Sequence, residues 1–247
     1  MALRVVITLV VSVVALLASV LTFFSGFGLG TLLLPAFALF YPVEQAVALT
    51  AVVHLANGLF KLALLGRNVS FRIVLLFGLP ALAAALAGAW VLRGLSQAGT
   101  AKLVVGALLL VFAVAELSPR FRALSFPPSY LPLGGVLSGF FGGLAGMQGA
   151  LRSAFLAKAG LSKEQFIATG AALAVLIDLS RLTVYVPALS AARHVLAGPA
   201  LYAALAAALL GTLVGNRYLK NVTMRSVQRA VAIMLVVVAL GLMLGVL

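Results

Sequence analysis

The chain contains no cysteine, one tryptophan and four acidic residues in 247. Without cysteine there are no disulfides, no thiolate-bound zinc and no thiol nucleophile. The shortage of acids weighs against an intramembrane enzyme, such as a lipid phosphatase, which needs clustered carboxylates or a nucleophile–base set. Three of the four acids, Glu44, Glu116 and Glu164, fall near predicted helix ends, leaving Asp178 inside an apolar run. The same shortage disfavours a divalent-metal carrier. Charged residues make up only 9% of the chain, too few to cover a water-soluble core. No basic patch with interleaved aromatics occurs, so nucleic acid is not an expected partner.

What the chain has instead is hydrocarbon. Residues of the AVILMFWYC set account for 64% of it. Several apolar runs of about 20 residues match the thickness of a bilayer core. They lack period-2 alternation, which predicts helices and not a barrel. The expected fold is an all-α integral membrane protein of about eight transmembrane helices. The opening MALR and its apolar run resemble a signal peptide, but the run continues with no polar cleavage region, predicting a retained first helix. The net charge of +13 is spread over short loops, as expected beside anionic membrane lipid, and it suits an anionic solute.

Taken in order, the first run spans roughly 5–24 and leads into SGFGLG, after which Thr31–Phe40 is again apolar. That is too long for one untilted crossing, so a break is expected at Gly26, Gly28 and Gly30. Helices are then expected over about 44–65, 71–92 and 101–117. Residues 118–130 (SPRFRALSFPPSY) form the one linker-like stretch. Helix five carries LSGFFGGLAGMQGALRSAF at 137–155, with a second break expected at Gly143, Gly146 and Gly149. Helix six is expected over about 164–186, followed by a loop at 187–194. Helices seven and eight are expected at about 195–213 and 227–247.

The chain divides into a first repeat at 1–117, the linker, and a second repeat at 131–247, within a single membrane domain. Glu44-Gln45 recurs as Glu164-Gln165, and at the same offset Lys61 falls on Arg181. LAGAWVL at 86–92 recurs as LVGNRYL at 213–219. Internal repeats of this kind mark secondary transporters, whose solute sites lie at the repeat interface. Small-residue faces such as Gly211-x3-Gly215 can pack within the bundle or between chains, so a homo-oligomer stays open.

The ordered set of motifs resembles a known family. It comprises a glycine-broken first helix (Gly26, Gly28, Gly30) with Pro35 after it, the acid–Gln–Ala–Val segment Glu44–Val47, and a Gly-x-x-Val-Ser turn at Gly66–Ser70, the unit being repeated after a central linker. Together they resemble the TauE/SafE family of sulfite and organosulfonate exporters, over nearly the whole chain. The resemblance implies a non-enzymatic transporter of sulfite or an organosulfonate such as sulfoacetate, in a bacterial or archaeal cytoplasmic (inner) membrane, with no cofactor. The second half departs from the pattern: Ala154 stands where Pro35 would correspond, and the half carries GMQGALRSAF at 146–155 and Asp178-Leu-Ser-Arg181.

The candidate site follows from those residues. A half-helix beginning near Ala150 presents free N–H groups and positive potential at its start. Arg152 would then sit in its first turn, where a cation is unfavourable, and burial in hydrocarbon costs it a further ~3 kcal/mol. Two positive features in one place make sense around a bound anion. Asp178 and Arg181, three residues apart, form either an internal ion pair or a pair whose carboxylate takes up a proton when it opens. His54, Asn57 and Lys61 share one helix face and are further solute-binding candidates, with Lys61 also able to snorkel. Gln148, Ser153 and Thr31 are neutral donors beside the breaks, fit to bind sulfonate oxygens or to cap half-helix ends. No catalytic or metal-ligating set is expected. A passive anion channel, using the same positive helix ends without a proton carrier, is the alternative.

Overall fold

The computed structural model describes residues 2–25, 29–191, 196, 198–218 and 224–245. Every main element among them is a helix. Helix α1 is described over Ala2–Ser25 and α2 over Leu29–Ala38, and Gly30, expected at the first break, lies inside α2. Gly26 and Gly28 lie outside the described residues. All ten residues of α2 are buried. A short helix with open ends is tolerated at membrane depth when protein, not lipid, surrounds it.

Pro42 then caps α3 (Val43–Leu65), its carbonyl accepting from Ala46 N–H at 2.9 Å, while Glu44 sits favourably in the first turn. A tight turn at Gly66–Asn68 leads to α4 (Phe71–Gln97). This helix widens to a π turn over Val74–Gly78. Pro80 follows directly; it has no N–H, and its ring crowds the carbonyl four residues back, which a wider turn relieves. A turn at Gly99 leads to α5 (Ala101–Leu117).

The linker is docked, not loose. Phe126 stacks on Phe155 with ring centroids 4.3 Å apart, and its N–H donates to Ala154 O at 3.3 Å. Next come α6 (Leu131–Ala145) and α7 (Gly149–Leu156), a broken pair. At the break Gly146 takes φ +72°, a left-handed conformation that stops the helix and that glycine adopts without a Cβ clash. Gly143, expected at the break, lies inside α6, and Gly149 opens α7.

A reciprocal capping box starts α8 (Lys163–Ala191): Gln165 N–H donates to Ser162 Oγ, and Ser162 N–H to Gln165 Oε1. This helix runs through Pro187 and replaces the loop expected at 187–191. Val184, Tyr185 and Ala188 are buried around the proline, and packing of that kind keeps a proline-containing membrane helix intact. Residues 192–195, the rest of that expected loop, lie outside the description. The last two helices are α9 (Pro199–Tyr218) and α10 (Met224–Met243).

The starts of α3 and α8 (Val43, Lys163) stand 120 residues apart. The main packing pairs are α1 with α9, α4 with α6, α3 with α8, and α5 with α10. Five helices among the described residues, α1, α3, α4, α8 and α9, are long and apolar enough to cross a membrane. The other helices expected to cross, α5, the α6–α7 pair and α10, are not among these five. Leu9, Phe71, Leu79, Val111 and Val237 are exposed, giving the bundle an apolar outer surface suited to acyl chains.

Glycines set the closest approaches. A Cβ at Gly135, Gly139 or Gly143 would lie 2.2, 2.2 and 2.0 Å from the carbonyl oxygens of Phe77, Ala81 and Ala85. This seam of every fourth residue lets α6 lie against the backbone of α4. Gly211 does the same for α9 against Leu16 of α1, so that face packs within the bundle. Gly139→Leu is therefore expected to lower stability by about 1–3 kcal/mol through overpacking, read as a drop in melting temperature in detergent. Gly94→Leu, on the same α4 but with open space around it, should melt like the parent.

Candidate functional site

Three elements bring polar side chains to the centre of the bundle. On α8, Asp178, Arg181 and Tyr185 follow the spacing i, i+3, i+7 and share one face; on α3, His54, Asn57 and Lys61 repeat that spacing. Gly58 lets the two helices close, since a Cβ there would stand 2.9 Å from Val175 Cγ2. The third element is the α6–α7 break, which supplies Gly146, Gln148 and Arg152.

Asp178 is the hub. Its Oδ1 accepts from Arg181 Nε at 2.9 Å, Arg181 Nη2 at 2.7 Å and Gln148 Nε2 at 3.3 Å. Its Oδ2 lies 2.5 Å from His54 Nδ1. Gln148 passes the network on, its Oε1 accepting from Arg152 Nη1 at 3.1 Å. Asp178 and Arg181 are fully buried, Arg152 is 3% exposed, and the His54 side chain retains 14% exposure. The chain of contacts thus runs from α3 through α8 to α7 without a gap.

The break is held open from both sides. Ser138 Oγ donates to Gln148 O at 2.9 Å, and Tyr185 OH donates to Gly143 O. That carbonyl belongs to the last turn of α6, which has no intrahelical partner of its own. Arg152 is the fourth residue of α7, in its first turn. Its guanidinium runs beside α8, where a Cβ at Gly170 would be 3.5 Å from its Nε. Helix α2 touches this break: a Cβ at Gly30 would lie 2.7 Å from Gly146 O and 3.8 Å from His54 Cδ2.

Charge is unbalanced here. Arg152 and Arg181 are buried near one buried carboxylate, Asp178; the half-buried Lys61 lies within electrostatic reach of Arg152, and Glu44 within reach of Tyr185. An interior of low polarity leaves such an excess poorly screened and favours an added anion.

The model of the family described as sulfite exporter TauE/SafE matches residues 11–242. The chain belongs to the sulfite exporter TauE/SafE family. Neither a curated protein nor a solved structure matches it. Family membership and the apolar helices make it an integral membrane protein of a transporter family. In this family member the matched region holds the α6–α7 break and the whole polar cluster.

Not every candidate joins that cluster. Asn57 is buried but accepts from Thr212 Oγ1 of α9. Thr31 is buried on α2, and Ser153 is half-buried on α7. Tyr185, Thr212 and Ser138 were not among the sequence candidates. Tyr185 had a readable signal, because 178, 181 and 185 repeat the spacing of 54, 57 and 61; Thr212 and Ser138 had none.

Removing Asp178 strands Arg181 in a dry interior. Asp178→Leu is expected to cost about 3–5 kcal/mol of stability, while the double variant with Arg181→Leu recovers a large part. Thermal unfolding of the two variants checks this; equal losses would show that the pair is not the stabilising unit.

Proposed function

We propose that this TauE/SafE-family protein is a secondary transporter that carries a small sulfur oxyanion, sulfite or an organosulfonate such as sulfoacetate, across a bacterial or archaeal cytoplasmic membrane. The observation that carries the reading is Arg152, buried in the first turn of α7 and linked through Gln148 to the buried Asp178–Arg181 pair. Arg152 sits in the first turn of a half-helix, where the helix dipole is already positive. An oxyanion between the turn and the guanidinium offsets both, and Gln148 stands beside it with an amide that can follow the anion's oxygens. The solute fits a family of sulfite exporters.

Two features favour a carrier over an open channel. Asp178 and Arg181 at the heart of the charged cluster are fully buried, as a carrier site between two access states requires. The 120-residue spacing of the starts of α3 and α8 supports two repeats, 1–117 and 131–247, meeting at the α3–α8 contact. In this reading Arg181 lines the site, Lys61 adds to its positive potential, and the ionisable pair His54 and Asp178 couples the anion to a proton. Thr31, Ser153 and Asn57 lie further out and shape the walls.

Sulfite, sulfoacetate and sulfate added in turn to the purified protein should raise its melting temperature for at least one of the sulfur anions. Arg152→Leu should abolish that rise while leaving the anion-free protein folded. Retention of the full shift in the variant would move the anion away from the break.

A further inference from the structure

His54 has a second ring nitrogen that the hydrogen-bond network leaves unassigned. An ionised carboxylate has acceptors only, so the 2.5 Å contact with Asp178 Oδ2 makes His54 Nδ1 the donor. That fixes the tautomer. Nε2 then carries a lone pair in the neutral ring and an N–H in the cation. Asp178 itself is saturated, with three donors on Oδ1 and the imidazole on Oδ2. A proton arriving there would have to displace one of them.

The edge of the imidazole away from Nδ1 faces a particular place. Cδ2, which is bonded to Nε2, lies 3.8 Å from where a Cβ at Gly30 would stand, and that Cβ would lie 2.7 Å from Gly146 O. Here α2 packs on the α6–α7 break too closely for even a Cβ, so an oxyanion enters only when the two part. Arg181 reaches the same junction: its Nη1 would be 3.1 Å from a Cβ on Gly146. That nitrogen is buried and has no hydrogen-bond partner, although Nε and Nη2 of the same guanidinium are both engaged. Native interiors seldom leave a guanidinium donor unmatched, and one aimed at a junction of two helix starts points to an acceptor that comes and goes.

We infer that His54, not Asp178, carries the co-transported proton, taking it on Nε2 as an oxyanion enters the Gly30–Gly146 junction beside Arg181 Nη1. The inference rests on the carrier reading and specifies its coupling atom. The proton comes from water onto the Nε2 lone pair and leaves as the anion leaves; no covalent bond changes. The partly exposed His54 is reachable by water, whereas Asp178 is fully buried.

The surrounding charges make the two events mutually favourable. His54 faces Asp178 and Arg181 from α8; Arg152 from α7 and Lys61 on its own helix add positive potential. No ionisable residue lies on α2. On α9, α4 and α5 the ionisable residues (Tyr202, Arg217, Arg72, Arg93, Lys102, Glu116) sit toward the helix ends, as does Glu44 on α3. The carboxylate of Asp178 already lies against one side of the imidazole, and the other side faces the junction. An anion there favours the charged ring, so anion and proton each raise the affinity for the other.

The test uses purified full-length protein in weakly buffered detergent with a pH indicator, titrated with methanesulfonate, which does not itself titrate near neutrality. About one proton should be taken up per anion bound, and affinity should rise up to about tenfold per unit fall in pH across the imidazole range. His54→Gln should bind the anion with a pH-independent affinity and take up no proton. Proton uptake that persists in His54→Gln overturns the assignment, as does a pH-independent affinity in the parent.

A second measurement stands even if His54→Gln fails to fold. The chain has two histidines, so His194→Gln leaves His54 as the sole imidazole. Its ¹⁵N resonances should move from neutral to cationic on adding the anion; a ring neutral in both states overturns the inference. No binding of methanesulfonate, sulfite or sulfoacetate to the parent removes the transporter reading together with this one. Binding without proton uptake removes this one alone.

Discussion

A carboxylate buried in a membrane bundle must be held by donors, and Asp178 is held by three side chains from two other elements and its own helix. That requirement organises the centre of the molecule. It draws Arg181 back along α8, brings α3 close enough for His54 to reach, and ties Gln148 to the break between α6 and α7. Since Gln148 also receives Arg152, the position of the half-helix follows from the same anchor. A buried ion pair of this kind adds little net stability against an apolar core, but it selects one arrangement strongly, because every alternative leaves a charge unmatched.

The bundle accommodates that polar centre by bringing backbones together elsewhere. The glycine seam of α6 lies on the carbonyls of α4, and Gly211 seats α9 on α1. Lipid gives helices no hydrophobic reason to associate, so close van der Waals contact has to supply it. The consequence is a rigid shell around two short segments, α2 and α7, that carry the unpaired backbone groups. Packing and site are thus divided between different glycines. Gly135, Gly139 and Gly143 serve the seam, whereas Gly146, with its left-handed backbone, ends the helix and turns the chain toward Arg181.

A membrane carrier needs a solute site that is closed to both sides in at least one state, with groups whose charge balance changes when solute binds. The cluster has that character: fully buried members, one partly exposed imidazole, and more cations than its carboxylate can neutralise. Membership of the sulfite exporter TauE/SafE family supplies the class of protein, and the electrostatics of the break give a physical reason for an anion.

Much of this was legible in the sequence because it is local. Apolar run lengths predict membrane helices, and glycine density predicts the break at Gly146. The position of Arg152 after Gly149 places it in a first turn. The repeated Glu-Gln segments give the 120-residue offset that the helix starts also show. The 3.6-residue period puts His54, Asn57 and Lys61 on one face and Asp178 and Arg181 on another. What the period does not say is which face meets which. That His54 finds Asp178 across 124 residues while Asn57 turns to Thr212 depends on how close α3 comes to α8 and α9. Pro187 was read as a stop because proline breaks isolated helices, yet neighbours with buried contacts carry α8 through it. The sequence by itself determined the apolar helices, the interruption at Gly146 and the surplus of positive charge. Only the tertiary structure decided the partner of each buried charge, since pairing in a dry interior is set by distances between helices far apart along the chain.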